Sequence, residues 1–252
     1  LILYKSNTEI DIMRKSGRIV AEVLDHLAHM VKPGLSTWDL EEAAEEYLKL
    51  NYPKAIPAFK GYMDYPASIC VSINEEVVHG IPSRTKLIKD GDIVSIDYGV
   101  FYDGYAGDAA ITVSAGKNVS KDAFELMKVT QECLVEGIKS ARVGAHLHDI
   151  SHAIQTYVEN RGYSVIRDLV GHGIGQSMHE APQVPNFGEK GSGVVIKPGL
   201  TIAIEPMIAI GGYEVDFLND GWTVVTRDGS LSAHFEHTIA VTNQGAFVLT
   251  EL

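Results

Sequence analysis

Four carboxylates, Asp97, Asp108, Glu205 and Glu236, together with His172, are the residues whose types and spacing most clearly point to chemistry. Asp97 and Asp108 lie in a run of alternating β-branched residues, 93–113, which folds back near Tyr102-Asp103-Gly104-Tyr105 and reads as a hairpin. A loop centred between Tyr102 and Asp103 would set the two aspartates directly opposite; an Asp103-Gly104 loop would make them diagonal neighbours. Both registers leave them on one face, where like charges repel and a positive partner is expected. No Lys or Arg lies in these strands to supply it. Glu205 follows the apolar run 200–204, and Glu236 precedes a β-rich segment at 238–241. Four converging carboxylates must take up protons or surround cations, and two dications cancel their charge. His172, within Gly171-His172-Gly173-Ile174-Gly175, adds one nitrogen from what reads as a tight glycine loop. Oxygen-rich ligation with one imidazole suits Mn, Fe, Co or Zn rather than a closed structural zinc site.

Residues this far apart in the chain converge only if the fold brings them together, and the sequence repeats itself in a way that would. Ser6 and Glu9 have capping-box spacing, and Met13, Val20, Leu24, Leu27 and Val31 recur at helical intervals up to Pro33-Gly34. A second helix, capped by Ser36 or Thr37, runs to about Leu50, and strands follow over 69–113. The same order returns after residue 120. Glu22, Leu24, Gly34, Asp39, Ala43 and Tyr47 fall on Glu132, Leu134, Gly144, Asp149, Ala153 and Tyr157. In the strands Asp97 falls on Glu205 and Asp108 on Glu236, and His79-Gly80-Ile81 echoes His172-Gly173-Ile174. The reading is one catalytic domain over 1–252 with an internal duplication, roughly 1–115 and 116–252. Its fold class is α+β: two pseudo-symmetric halves, a central antiparallel sheet and outer helices.

Composition narrows the function classes. A chain of 252 residues with 45% hydrophobic content can bury a sizeable core. Apolar runs are all shorter than a bilayer needs and no export leader opens the chain, so it reads as soluble, cytoplasmic and without a membrane partner. The net charge of −12 and the absence of a Lys/Arg stripe argue against a nucleic-acid substrate. Cys70 and Cys133 fit no disulfide or CxxC framework and read as buried thiols of a reducing compartment. There is no HExxH helix, G-x-S-x-G elbow or Walker A loop. His26, His29, His146, His148, His152, His234 and His237 lack a supporting pattern and read as surface or packing residues.

The motifs Asn74-Glu75-Glu76-Val77-Val78-His79-Gly80-Ile81-Pro82, Gly107-Asp108, Gly171-His172-Gly173-Ile174-Gly175, Glu205-Pro206-Met207 and Glu236-His237-Thr238 stand in an order and spacing that resembles the methionine aminopeptidase family, type I bacterial form. The resemblance spans nearly the whole chain and implies the "pita-bread" fold and removal of the initiator methionine from nascent polypeptides, probed at the ribosome by a monomer. It puts the five metal ligands on Asp97, Asp108, His172, Glu205 and Glu236, with Asp108 and Glu236 bridging two ions and a hydroxide between them attacking the scissile carbonyl. It also implies Glu205 as proton acceptor, His179 as stabiliser of the tetrahedral intermediate, and His79 as a contact to the peptide nitrogen. The methionine pocket maps to Tyr62, Tyr65, Cys70, Met178 and Trp222. Met178 and Phe59 depart from residues common in similar enzymes, which bears on pocket shape. A monovalent cation near Asn74, Glu76 and Ser232 is a further implication. The rivals are a proline-specific peptidase sharing the five ligands and a non-catalytic relative that has lost its metals.

Overall fold

A computed structural model describes all 252 residues. Helix α1 spans Asn7–Met30 and α2 Thr37–Asn51, and each opens with a capping box, Ser6 with Glu9 and Ser36 with Asp39. Later in the chain α3 covers Lys121–Ser140 and α4 Leu147–Glu159. Two isolated β-bridges hold the starts of the second helices, Ser36 to Leu87 and His146 to Val195. Tyr52 donates its hydroxyl to Glu22, and Tyr157 donates to Glu132 at 2.5 Å. No helix is long and apolar enough to cross a membrane.

The centre is a nine-stranded sheet whose neighbouring strands all run antiparallel. Its spine runs Ile93–Tyr102, Tyr105–Ser114, Glu236–Thr242, Thr201–Ile204, Gly171–Gly173 and Glu180–Val184. Asp103 and Gly104 form the hairpin loop with φ of 50° and 83°. Two consecutive positive φ values match the right-handed twist of the strands they join. Tyr102 then pairs with Tyr105 and Gly99 with Asp108, so the aspartates are diagonal neighbours, one of the two registers left open by the sequence.

Side-chain parity along the ladders explains why the five polar residues meet. Ala110 is opposite Asp97 on one side and opposite Glu236 on the other. Asp108 lies two residues before Ala110 and shares its face. Thr238, two beyond Glu236, pairs with Ala203, and Ala203 pairs with His172. Glu205 is two beyond Ala203, just past the end of its strand. All five therefore project from one face, and the small side chains of Ala110 and Ala203 leave space there.

The opposite parity supplies the core. Ile96 and Tyr98 pack with Val20, Val23, Leu24 and Leu27 of α1, while Ile202, Ile204, Ile239 and Val241 pack with Leu126, Leu134, Ile150 and Ile154 of α3 and α4. Helix α1 lies so close that a Cβ on Gly17 would sit 2.2 Å from the Leu249 carbonyl oxygen, and one on Gly107 would sit 2.7 Å from the Gly17 nitrogen. Those obstacles are backbone and cannot rotate away. Gly17→Ala is therefore expected to destabilise the fold by roughly 1–3 kcal/mol, read as a lower thermal midpoint, while the ligand cluster and the remaining folded molecules keep their chemistry. An unchanged midpoint would show that α1 can be displaced without cost.

Candidate metal centre

Burial at the convergence is nearly complete. Asp108, Glu236 and His172 are 4%, 2% and 7% exposed, and ligand atoms from all three lie within 4.8 Å of one another. The His172 Nε2 is 3.7 Å from Asp108 Oδ2 and 3.6 Å from Glu205 Oε1. Asp97 lies beside Asp108 and its charge adds to the pressure on that carboxyl. The only ion-pair partners of these carboxylates are histidine nitrogens.

This arrangement is electrostatically incomplete. Burial, and then mutual repulsion, push Asp108 and Glu236 well above the usual carboxylate range, and burial does the same to Glu205 and Asp97. Asp97 Oδ1, Asp108 Oδ1 and Glu236 Oε1 are buried without any hydrogen-bond partner, a condition that buried polar atoms rarely tolerate. His172 is held by burial to about 4 and is neutral, with its Nδ1 2.8 Å from the Gly173 carbonyl. A lone pair on Nε2 thus faces the carboxylates, the second-shell pattern of a metal-binding imidazole. Orphaned oxygen atoms and a neutral imidazole on one wall fit divalent cations.

His172 does not sit in a tight loop as the sequence suggested. Gly171–Gly173 is a strand, and none of Gly171, Gly173 and Gly175 has positive φ. The glycines instead permit close approach: a Cβ would lie 2.4 Å from Ala203 O at Gly171, 2.2 Å from Ala181 O at Gly173 and 2.3 Å from Lys5 Cε at Gly175. Lys5 and Glu180 form a buried ion pair behind the segment that carries Met178 and His179.

Next to the ligands opens a cavity of about 210 Å³ lined by the four carboxylates, His172, His79, His179, Tyr62, Tyr65, Cys70, Trp222, Phe59 and Met63. Met178 is 2% exposed and is not part of that lining; it packs in a cluster with Phe59, where its methyl would abut a Cβ placed on Gly99. It shapes the wall from behind. Met63, which the sequence did not single out, takes a place at the surface. Tyr65 fixes the floor by donating to the Ile69 and Gly80 carbonyls, both at 3.1 Å, and stands edge-on to Trp222 with ring centres 5.0 Å apart. Burial raises the Cys70 thiol, which stays protonated and behaves as an apolar surface.

His179 stacks at a tilt 4.2 Å from the His172 ring centre, and its Nδ1 lies 2.9 Å from the Tyr62 hydroxyl. His79 adopts a left-handed backbone with φ 60°, uncommon for a non-glycine residue and a strain often found at functional sites. Burial lowers it to about 4, so it enters the site neutral. Three residues with no role assigned from sequence stitch the halves together here. Thr238 Oγ1 donates to Asp108 O at 2.7 Å, and Thr112 Oγ1 donates to His234 O at 2.8 Å. His234, read from sequence as surface or packing, is 1% exposed with Nε2 3.8 Å from Glu205 Oε2. Its spacing of two residues before Glu236 was the available signal.

The side chains suggested for a monovalent cation are already committed. Asn74 Nδ2 donates to Asp92 at 2.8 Å, Glu76 accepts from Ile73 N at 2.8 Å and Lys86 at 2.5 Å, and Ser232 Oγ donates to Ile208 O at 3.1 Å. A cation there would depend on backbone carbonyls.

The pattern of metallopeptidase family M24 matches residues 11–243. The chain belongs to this family. Its M24 assignment makes it a hydrolase and agrees with the carboxylate and histidine cluster. Among M24 relatives, a methionine aminopeptidase of Clostridium acetobutylicum is 51% identical, with 99% of each chain covered. Methionine aminopeptidase 1 of Bacillus subtilis is 50% identical with both chains fully covered. The crystal structure of a methionine aminopeptidase from Thermotoga maritima superposes with a TM-score of 0.97 at 48% identity, covering 100% of both chains. A prolidase from Pyrococcus horikoshii shares the fold at TM-score 0.76 and 24% identity, with 98% of this chain but 63% of that one covered. The pita-bread architecture expected from the sequence is thus the fold of this M24 member.

Proposed function

We propose that the chain removes the N-terminal methionine from nascent polypeptides whose second residue is small, using two divalent cations. The observation that carries this reading is the five-residue cluster opening onto a cavity walled by aromatic rings and a protonated thiol. An unbranched thioether fits such a wall through dispersion and sulfur-aromatic contact. Relatives near 50% identity over the full chain are named methionine aminopeptidases, which supports the same substrate.

Asp97, Asp108, His172, Glu205 and Glu236 would hold the ions, with Asp108 and Glu236 shared. Bound there, divalent cations supply Lewis acidity and bring the pKa of water toward neutrality. Glu205, with its charge disfavoured by burial, is suited to accept the proton of the attacking water. His179, positioned by Tyr62, donates toward the oxygen on which negative charge develops. His79 contacts the scissile nitrogen and helps protonate it, the proton that Glu205 took from the attacking water passing to that nitrogen as the bond breaks. Tyr62, Tyr65, Cys70 and Trp222 enclose the methionine side chain, with Met178 setting the wall behind Phe59.

We further infer that the whole chain acts as one catalytic domain built from two similar halves, 1–115 and 116–252, and works as a cytoplasmic monomer near the ribosome. Both cysteines are free and buried, in keeping with a reducing compartment.

Comparing Met-Ala-Ser with an Xaa-Pro peptide in the presence of Mn or Co tests the substrate assignment. Rapid release of methionine, with little turnover of the Xaa-Pro bond, is expected. Preference for the Xaa-Pro peptide would move the chain to the proline peptidases.

A further inference from the structure

We propose that His234 is a positioning residue for Glu205, with its Nε2–H restraining the carboxylate oxygen that faces away from His172. The inference rests on the reading of Glu205 as cation ligand and proton acceptor. Glu205 Oε1 lies 3.6 Å from His172 Nε2, whereas Oε2 lies 3.8 Å from His234 Nε2. Two histidines thus address the two oxygens separately: one oxygen turns toward the ligand cluster and the other toward His234.

The imidazole is held in place by its backbone. His234 N donates to Thr112 Oγ1 at 2.9 Å, its carbonyl accepts from the same hydroxyl at 2.8 Å, and the residue pairs with Met207 across the ladder. It is 1% exposed, and Nε2 has no hydrogen-bond partner. An unpaired ring nitrogen in so dry a place requires a partner that forms in the working state. Glu205 Oε2 is the carboxylate oxygen within reach. The separation is about 1 Å beyond a hydrogen bond, a gap that rotation of a glutamate carboxylate spans; catalytic hydrogen bonds are often long until the site is assembled. His234 does not line the cavity, unlike His79 and His179, so it acts on Glu205 and not on substrate.

With one oxygen tethered, Glu205 presents the other to the ion and cannot swing between two rotamers. Second-shell hydrogen bonds of this kind affect metal affinity and activity by about 10–100-fold. The test compares His234→Leu, which removes the donor, with His234→Gln, whose amide restores one. Chelator-stripped proteins are titrated with Mn(II) by calorimetry, and kcat and KM for Met-Ala-Ser are measured at saturating metal. For His234→Leu, Mn(II) affinity is expected to fall about 10–100-fold, with a drop in kcat and little change in KM. His234→Gln should recover most of both losses.

Undiminished Mn(II) affinity and kcat in His234→Leu would overturn the proposal. Equal losses in the Gln and Leu variants would do so as well, because they would assign the residue to packing. If His234→Leu does not fold, the flexible donor-free His234→Met takes its place. A double-mutant cycle with Glu205→Gln on Mn(II) affinity must show coupling, and additive effects would reject the contact. A wild-type chain that binds Mn(II) but ignores Met-Ala-Ser would remove the substrate assignment while leaving the affinity arm intact.

Discussion

Glu236→Ala is expected to leave a folded chain that cleaves Met-Ala-Ser roughly 10³-fold more slowly or not at all, since the Lewis acidity at stake is worth several kcal/mol. The physical reason is specific to the position. Glu236 shares its row of the sheet with Asp97, through Ala110, and lies within 4.8 Å of ligand atoms from Asp108 and His172. Removing it would take away one of the proposed ligands from the centre of the cluster. The fold survives because the carboxylate is repelled there: burial and the charges of Asp108, Glu205 and Asp97 all raise its pKa. A stripped Glu236→Ala protein should therefore melt above the stripped wild type at alkaline pH while remaining inactive. Full turnover in this variant, measured after metal depletion and reloading, would reject the assigned ligand set.

The second large effect belongs to His79. His79→Asn keeps a residue tolerant of the left-handed backbone at φ 60° but loses the ring that could move a proton. A kcat reduction of about 10²-fold or more is expected, with Mn(II) affinity near the wild-type value because His79 is not among the clustered ligands. Steady-state kinetics paired with a metal titration check both halves. Loss of metal together with activity would instead make His79 a ligand; retention of full kcat would leave the strained backbone without a catalytic purpose.

The parts of this architecture that depend on local chemistry were readable in the sequence. A capping box at Ser6 and a cap at Ser36 or Thr37 marked where α1 and α2 start, and β-branched alternation marked the strands. Matching order in the two halves, Asp97 on Glu205 and Asp108 on Glu236 despite a longer insert in the second, picked out the carboxylates. Long-range contacts were not readable in the same way. The hairpin register stayed open because it turns on which two residues take positive φ, and Asp103-Gly104 took it. The glycines around His172 suggested a turn, but their need for small size arises from Ala203, Ala181 and Lys5, which are distant in the chain. Met178 was placed on the pocket by analogy with similar sequences, whereas it is buried in the cluster against which the cavity-lining Phe59 packs. His234 carried no motif, and its significance comes from where its strand meets Glu205.

The central claim is that buried carboxylates from both halves are stable together only around dications. In the stripped protein each raised carboxyl keeps its proton at pH values where the unfolded chain, titrating near about 4, has already released it. From these groups the folded state binds more protons, so the stability they contribute is greatest in acid and falls as pH rises from the ordinary carboxylate range through the raised folded values, whereas the buried neutral histidines act in the opposite sense below about pH 7. Bound cations replace those protons and should remove most of that slope. The decisive measurement is thermal unfolding of chelator-stripped and Mn(II)-loaded protein between about pH 7 and 8.5, where the histidines are largely neutral in both folded and unfolded states, with the bound metal counted. Two equivalents of Mn(II) are expected, with a stripped protein whose midpoint falls across that window and a loaded protein that is far less sensitive. No bound metal and identical, pH-independent midpoints would contradict the central claim.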